Sequence, residues 1–154
     1  MFHRWAALVL VLALCAMSPK NAAGQTPSSR GHGAKGRVGS NWPNPFNPDT
    51  KINFSVDGCS STTETHLVTM RLVNVLAQPV VFPKLFAGSG STTVSSALAG
   101  QPIQNIALPC GDYVAYWNGK IMNEGREAPS GSYGVEIFID GTKQSGTPKI
   151  FHSK

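Results

Sequence analysis

Cysteine and histidine are the side chains of this sequence that could serve as nucleophile, general base or metal ligand. The chain contains three cysteines and four histidines. Cys110 and His66 could form a thiol–imidazole pair, but such a pair needs an orienting group and a feature that lowers the thiol pKa, such as a helix N-terminus. No helix is predicted before Cys110, and Cys59 is a better partner for it. We therefore predict a protein without catalytic residues.

A metal site is not indicated by the spacing of the same side chains. Zinc sites usually draw their ligands from closely spaced cysteine and histidine pairs, and here these residues lie far apart in sequence. The pair Asp140-Gly141 is shared with calcium-binding loops, but a hairpin turn is the favoured interpretation. The sequence predicts no metal and no cofactor.

Cys59 and Cys110 are the two cysteines that remain when Cys15 is assigned to an N-terminal export segment. An even pair of cysteines in an exported chain favours a disulfide. If successive strands run antiparallel, the end of the first strand and the start of a later one lie at the same end of the domain, which would bring the two sulfurs together. Two buried free thiols are the alternative.

Residues 1–24 have the layout of a secretory signal peptide, with a basic start at Arg4, an apolar run over residues 6–17 and a small-residue cleavage site. The apolar run is short for a membrane-spanning helix. A lipid-attachment site at Cys15 is the alternative, so membrane contact is expected only through this segment or that lipid. The predicted location is extracytoplasmic: periplasm, cell surface or secreted.

The segment 25–40 is rich in glycine and serine and nearly free of large apolar residues, which predicts a flexible tether before a domain at 41–154. The whole chain has a formal net charge of +5. From Asn41 onward, however, basic and acidic residues are equal in number. Because nucleic-acid binding normally needs a basic face, we expect no nucleic-acid partner.

The domain sequence alternates apolar and polar residues in short runs and has no sustained helical periodicity. Pro83 indicates an edge position for one of these runs, and residues 89–101 read as an exposed loop. The expected fold is an all-β, antiparallel β-sandwich of six to seven strands. The predicted strands are 51–56, 67–75, 79–86, 111–117, 132–139 and 148–152, with 103–108 as a possible seventh.

Aromatic side chains are the remaining candidates for a binding surface. Alternation in the strand 111–117 places Tyr113 and Trp117 on one face and Tyr116 on the other, so Trp117 is predicted in the core and Tyr116 outside. Trp42 is expected to pack against the domain edge or to anchor a partner.

Two sequence motifs, in this order, carry a family resemblance. The first, at 44–54, sets two prolines and an aromatic before an alternating strand, and the second runs from Gly111 to Ile137. Together they resemble the flagellar hook-capping (FlgD-type) Ig-like domain and the type IX secretion (type A) C-terminal sorting domains. The resemblance covers residues 44–154 and implies an Ig-like β-sandwich. The residues that match the family pattern, or stand at its positions, are Asn44, Pro45, Phe46, Asn47, Pro48, Thr50, Ile52, Phe54, Trp117, Asn118, Gly119, Gly125, Gly131 and Tyr133.

The chain departs from the family pattern at three positions. Val73 stands where the family has an aromatic residue, and Asn118 stands where it has an aspartate. Ala77 replaces a glycine, which predicts that the turn after Asn74 lacks a residue with positive φ.

The expected function is a non-catalytic exported structural or protein-interaction module that binds another envelope or secreted protein through loops or an open sheet edge. Candidate contact residues are Trp42, Tyr116, Lys149 and Phe151. A type IX sorting or anchoring domain is one alternative, implied by the resemblance. A carbohydrate-binding module is the other, suggested by exposed aromatic rings.

Overall fold

A computed structural model describes residues 33–87, 94–122 and 125–154. The predicted signal peptide and residues 25–32 of the predicted tether lie outside the described residues. The described residues form ten β-strands and no helix. None of them therefore belongs to a helix long and apolar enough to cross a membrane.

The strands form two antiparallel sheets that face each other, which confirms the β-sandwich. The first sheet has the order β1-β2-β7-β5. In the second, the order is β10-β8-β3-β4, with β6 also paired to β3 and β9 to β8. In chain order the strands are β1 Lys35–Trp42, β2 Thr50–Asp57, β3 Thr65–Val73, β4 Pro79–Val81, β5 Lys84–Leu85, β6 Ile106–Pro109, β7 Gly111–Trp117, β8 Gly131–Ile139, β9 Thr142–Lys143 and β10 Lys149–His152.

The strand count is higher than six to seven for three reasons. The predicted strand at 79–86 is broken at Phe82-Pro83, and its two halves, β4 and β5, belong to different sheets. Asp140-Gly141 forms the predicted hairpin turn, and it adds the short strand β9. The third reason is β1, which the sequence did not indicate.

The position of β1 corrects the predicted boundary between tether and domain. Lys35–Trp42 pairs with β2 in antiparallel register, from Lys35 opposite Asp57 to Trp42 opposite Lys51. Residues 35–40 are therefore part of the first sheet and not of a flexible tether. Gly36 permits close packing against the second sheet, because a β-carbon added to it would lie 2.8 Å from Ile139 Cγ1.

The core lies between the two sheets, where the alternating apolar residues of both meet. Ile52 and Phe54 on β2, Trp117 on β7 and Ile137 on β8 are all at most 3% exposed. Their burial follows the period-2 pattern predicted for these strands. Part of the predicted loop at 89–101 also reaches the core, because Val94 and Leu98 pack partly buried against it.

Candidate functional site

The proline-rich turn before β2 lies against the C-terminal strand. The backbone N–H of Phe46 donates to the carbonyl of Phe151 over 2.9 Å, and the N–H of Ser153 donates to the carbonyl of Phe46 over 3.1 Å. Asn44 Oδ1 accepts from the N–H of Phe151 over 3.0 Å. The outer edge of β10 is thus closed at Phe151, so this part of the strand does not supply the open sheet edge of the expected interaction module.

An aromatic cluster holds this turn in the core. The ring of Phe46 lies 5.0 Å from Trp117 and 4.7 Å from His152, measured between centroids. Trp117 in turn contacts Tyr133 at 5.1 Å in an edge-on arrangement. Because these residues are buried, the family-pattern aromatics act in packing and offer no surface to a ligand.

The polar atoms of the cluster are satisfied by backbone carbonyls nearby. Trp117 Nε1 donates to the carbonyl of Lys120 over 2.9 Å, and the Tyr133 hydroxyl donates to the carbonyl of Pro129 over 2.6 Å. Burial raises the pKa of Tyr133, so its hydroxyl stays protonated as a donor. These bonds tie the loop after β7 to the cluster.

The other residues of the family pattern shape the turns around the cluster. Thr50 Oγ1 donates to the carbonyl of Pro43 over 3.0 Å, and Asn118 Oδ1 accepts from the N–H of Lys120 over 3.2 Å. Gly119 and Gly125 have φ values of 72° and 66°, which only glycine adopts freely. Pro45, Asn47, Pro48 and Gly131 lie in turns or at a strand end.

Trp42 and Tyr116 lie in one row across the outer face of the first sheet. Trp42 is opposite Lys51, and Lys51 is opposite Tyr116 on the next strand. Trp42 is 74% exposed, so it does not pack against the domain edge as one interpretation predicted. Tyr116 is partly buried. Burial together with the charge and hydrogen bond of Asp49 raises the pKa of Tyr116.

Lys149 and Phe151 occupy a different surface from Trp42 and Tyr116. Both alternate outward on β10, and Phe151 is 47% exposed. The four predicted contact residues therefore divide into a pair on the first sheet and a pair on the second. Trp42 lies on the edge strand β1, whereas Tyr116 lies on β7, which is paired with β2 on one side and with β5 on the other.

The predicted disulfide is present. Cys59 and Cys110 are bonded, with their Cα atoms 5.9 Å apart. It joins the loop after β2 to the turn before β7, which agrees with the antiparallel argument from the sequence. Both residues are partly buried.

A histidine lies beside this disulfide: it is His66, which the sequence suggested only as a possible partner of a free Cys110. His66 is 8% exposed, and the ligand atoms of Cys59, His66 and Cys110 all lie within 4.8 Å of one another. His66 Nδ1 is hydrogen-bonded to Asp140 Oδ2 over 2.9 Å. Pairing of β3 with β6 and β8 brings these residues together from distant parts of the chain. Their convergence comes from strand pairing, which the spacing of the residues in sequence does not show, and the absence of a metal site stays a prediction.

No family model, no curated protein and no solved structure matches the chain. The resemblance to FlgD-type and type IX sorting domains therefore stays a prediction. The chain is defined by its fold as an antiparallel β-sandwich with a disulfide at one end of the domain.

Proposed function

We propose that the protein is a non-catalytic exported module that binds another envelope or secreted protein by adding a strand of that partner to the edge of β1. The observation that carries this proposal is the outer edge of β1, with Trp42 exposed at its end. An unpaired strand edge presents backbone donors and acceptors to an extended segment, and a large aromatic residue beside it supplies an anchor.

Two other strand edges, those of β5 and β10, are covered. The edge of β5 is closed because Leu85 donates to the carbonyl of Gln101 over 2.8 Å and accepts from the N–H of Gly100 over 2.7 Å. The edge of β10 is closed by Asn44 and Phe46. β1 is eight residues long and pairs only with β2 among the strands described, and its contact with Gln144 is confined to one end, where the Gly36 N–H donates to Gln144 Oε1 over 3.2 Å.

Charge and shape along β1 favour a particular kind of partner. Lys35 and Arg37 are exposed on this strand, which favours an acidic segment and opposes pairing with a second copy of the same strand. The irregular pairing between Val38 and Asn41 leaves Arg37 and Trp42 on the same outer face of the sheet. A partner strand paired along β1 would therefore contact Lys35 and Arg37 at one end of β1 and the indole of Trp42 at the other.

An open groove of about 460 Å³ continues this surface along the outer face of the first sheet. It lies where Gly39 has no side chain, next to Asn53 and Val114. A side chain of an added strand that points to the outer face would enter this groove. Backbone pairing alone would accept almost any extended segment. The groove would select partner segments whose side chains fit it.

The test is capture of a stoichiometric partner from envelope and secreted fractions, followed by affinity measurement with purified components. Trp42→Ala is expected to weaken binding at least about tenfold, since truncating an aromatic anchor has effects of this size. Leu76→Ala is the matched control, because Leu76 is 73% exposed and lies in the turn between β3 and β4 of the second sheet. Arg37→Glu is expected to weaken binding further and to reduce its salt dependence. Absence of any partner, or equal loss with both alanine variants, would contradict the proposal.

A carbohydrate-binding module is the second candidate, favoured by the row that Trp42 and Tyr116 form across Lys51. Two aromatic rings on neighbouring strands of one face can stack on successive sugar units. In that case Tyr116→Ala and Trp42→Ala would both abolish binding to a glycan array. Strand addition at β1 predicts instead that Tyr116→Ala leaves protein binding unchanged.

A further inference from the structure

We propose that, when its disulfide is reduced, the protein binds one zinc ion through Cys59, Cys110 and His66, with Glu64 in the fourth position. This inference goes beyond the proposed interaction module and does not depend on it. It rests on a buried, unpartnered imidazole nitrogen that lies next to the two sulfurs.

The unpartnered atom is His66 Nε2. It is buried and has no hydrogen-bond partner within the described part of the chain. The nearest acidic oxygen, Glu64 Oε1, lies 3.7 Å away, which is too far for a hydrogen bond. Burying such an atom without a partner costs free energy. A buried nitrogen of this kind therefore indicates either a destabilising position or a site where a ligand binds.

The other side of the same ring is fixed in the orientation that a metal ligand needs. A carboxylate can only accept, so the 2.9 Å contact of Nδ1 with Asp140 Oδ2 places the proton on Nδ1. With the proton on Nδ1, the ring nitrogen that can bind a metal ion is Nε2, the buried atom without a partner in the described residues. Asp140 is itself held by the N–H of Leu67, which donates to Oδ1 over 2.9 Å. A carboxylate behind a metal-binding histidine is a recurrent arrangement in zinc sites.

The two sulfurs complete a set of soft ligands. Ligand atoms of Cys59, Cys110 and His66 within 4.8 Å of one another can close around an ion by side-chain rotation, since Zn–S and Zn–N bonds are about 2.3 and 2.1 Å. The N–H of Cys59 points at Cys110 Sγ over 2.9 Å and would stabilise a thiolate there. Two thiolates and one imidazole favour Zn²⁺ over hard cations.

Reactants can reach the site from solvent. A surface pocket is lined by Cys59, Cys110 and the loop at 60–62. A dithiol reductant entering there would donate two electrons: its own thiols become a disulfide, the Cys59–Cys110 bond breaks, and each sulfur gains a proton. Binding of Zn²⁺ then displaces both protons to solvent.

The test titrates the purified protein with Co²⁺ as a spectroscopic probe and with Zn²⁺ in competition with a chromophoric chelator. After reduction by a phosphine, which does not itself supply thiol ligands, we expect one Co²⁺ per chain with thiolate charge-transfer bands and a tetrahedral spectrum. The oxidised protein should bind none. Binding by both forms, or by neither, would overturn the proposal.

Variants show whether the histidine takes part. We expect His66→Gln to weaken Zn²⁺ binding by the reduced protein more than 100-fold, and Asp140→Asn to weaken it about 10- to 100-fold through the orientation of the ring. His152→Gln is the matched control, since His152 is also buried but lies in the aromatic cluster. Equal affinity of His66→Gln and the wild type would overturn the assignment.

Folding of the reduced chain is measured alongside binding. Near-ultraviolet circular dichroism follows the core aromatics, and Zn²⁺ is expected to raise the melting temperature of the reduced protein but not of the oxidised one or of reduced His66→Gln. If the reduced chain is unfolded and Zn²⁺ does not restore the native spectrum, the proposal is wrong.

Discussion

Gly119 lies so close to Pro48 that a β-carbon added to the glycine would sit 2.4 Å from the Pro48 carbonyl oxygen. This contact joins the turn after β7 to the proline turn before β2. Gly119 also has a φ of 72°, a conformation that costs other residues free energy. The glycine is therefore required twice, by the backbone conformation and by the close approach.

Gly119→Ala is expected to lower the free energy of unfolding by more than about 2 kcal/mol, because strain and the clash with backbone add. Urea denaturation measures the change. Gly125→Ala is the matched control, since Gly125 has a φ of 66° and a β-carbon added to it would meet nothing within 4 Å among the described residues. That variant should lose only about 1 kcal/mol. Similar losses in the two variants would show that the contact with Pro48 is unimportant.

Ala77→Gly is expected to raise the free energy of unfolding by about 0.5–1 kcal/mol. Ala77 has a φ of 58°, although the absence of glycine had predicted a turn without positive φ. The turn is imposed by Asn74, whose Oδ1 accepts from the N–H groups of Leu76 and Gln78, each over 3.0 Å. Thermal denaturation should show the gain. Ala107→Gly on β6 is the comparison and should destabilise, so a loss in both would contradict the explanation.

Replacing both Cys59 and Cys110 with alanine is expected to destabilise the protein by up to about 4 kcal/mol. The bond closes a loop with a sequence separation of 51 residues, so its removal gives the unfolded chain much additional freedom. The measurement is urea denaturation of the double variant against the oxidised wild type. A change below about 1 kcal/mol would mean that the unfolded state is not restrained by this bond.

Glu136→Gln is expected to lower the free energy of unfolding by about 1–3 kcal/mol at pH 7. Glu136 is 6% exposed and accepts from Arg71 Nε over 2.7 Å and from Lys143 Nζ. Burial alone would raise the pKa of Glu136, but the hydrogen bonds from Lys143 and Arg71 outweigh burial and lower it.

The pH dependence of that difference follows from the lowered pKa. The stabilising contribution is present above the ordinary glutamate pKa of about 4.3 and is lost as the pH falls through the lower pKa of the folded state. The wild type and Glu136→Gln should therefore approach equal stability in acid. Glu127→Gln serves as the control, because its ion pair with Lys154 is exposed and contributes little. A gap that stays constant in acid would refute this account.

The sequence by itself determined the fold class and the identity of the core. Alternation with a period of two placed Ile52, Phe54, Trp117 and Ile137 on inward faces, and all four are buried. Such alternation is a local property that holds whatever the strand order. The even number of cysteines in the domain and the antiparallel order favoured the disulfide, with two free thiols as the alternative, and the bond is present.

Only the tertiary structure decided which strands lie at the edges of the two sheets. A glycine-rich segment is typical of a linker. Lys35–Trp42 nevertheless forms a strand, because it pairs with the free edge of β2. The outer edge of β10 was closed by a turn about a hundred residues earlier in the chain, through Asn44 and Phe46. Strand pairing at such separations depends on the assembled sheets, so local patterns do not report it.

The tertiary structure also decided that His66 lies beside the disulfide. Cys59 and Cys110 are 51 residues apart, and Asp140 is 74 residues from His66. Strand β3 brings them together because it pairs with β6 on one side and β8 on the other. Residues distant in sequence become neighbours through sheet register, and register is settled only when the faces of both sheets are buried against each other.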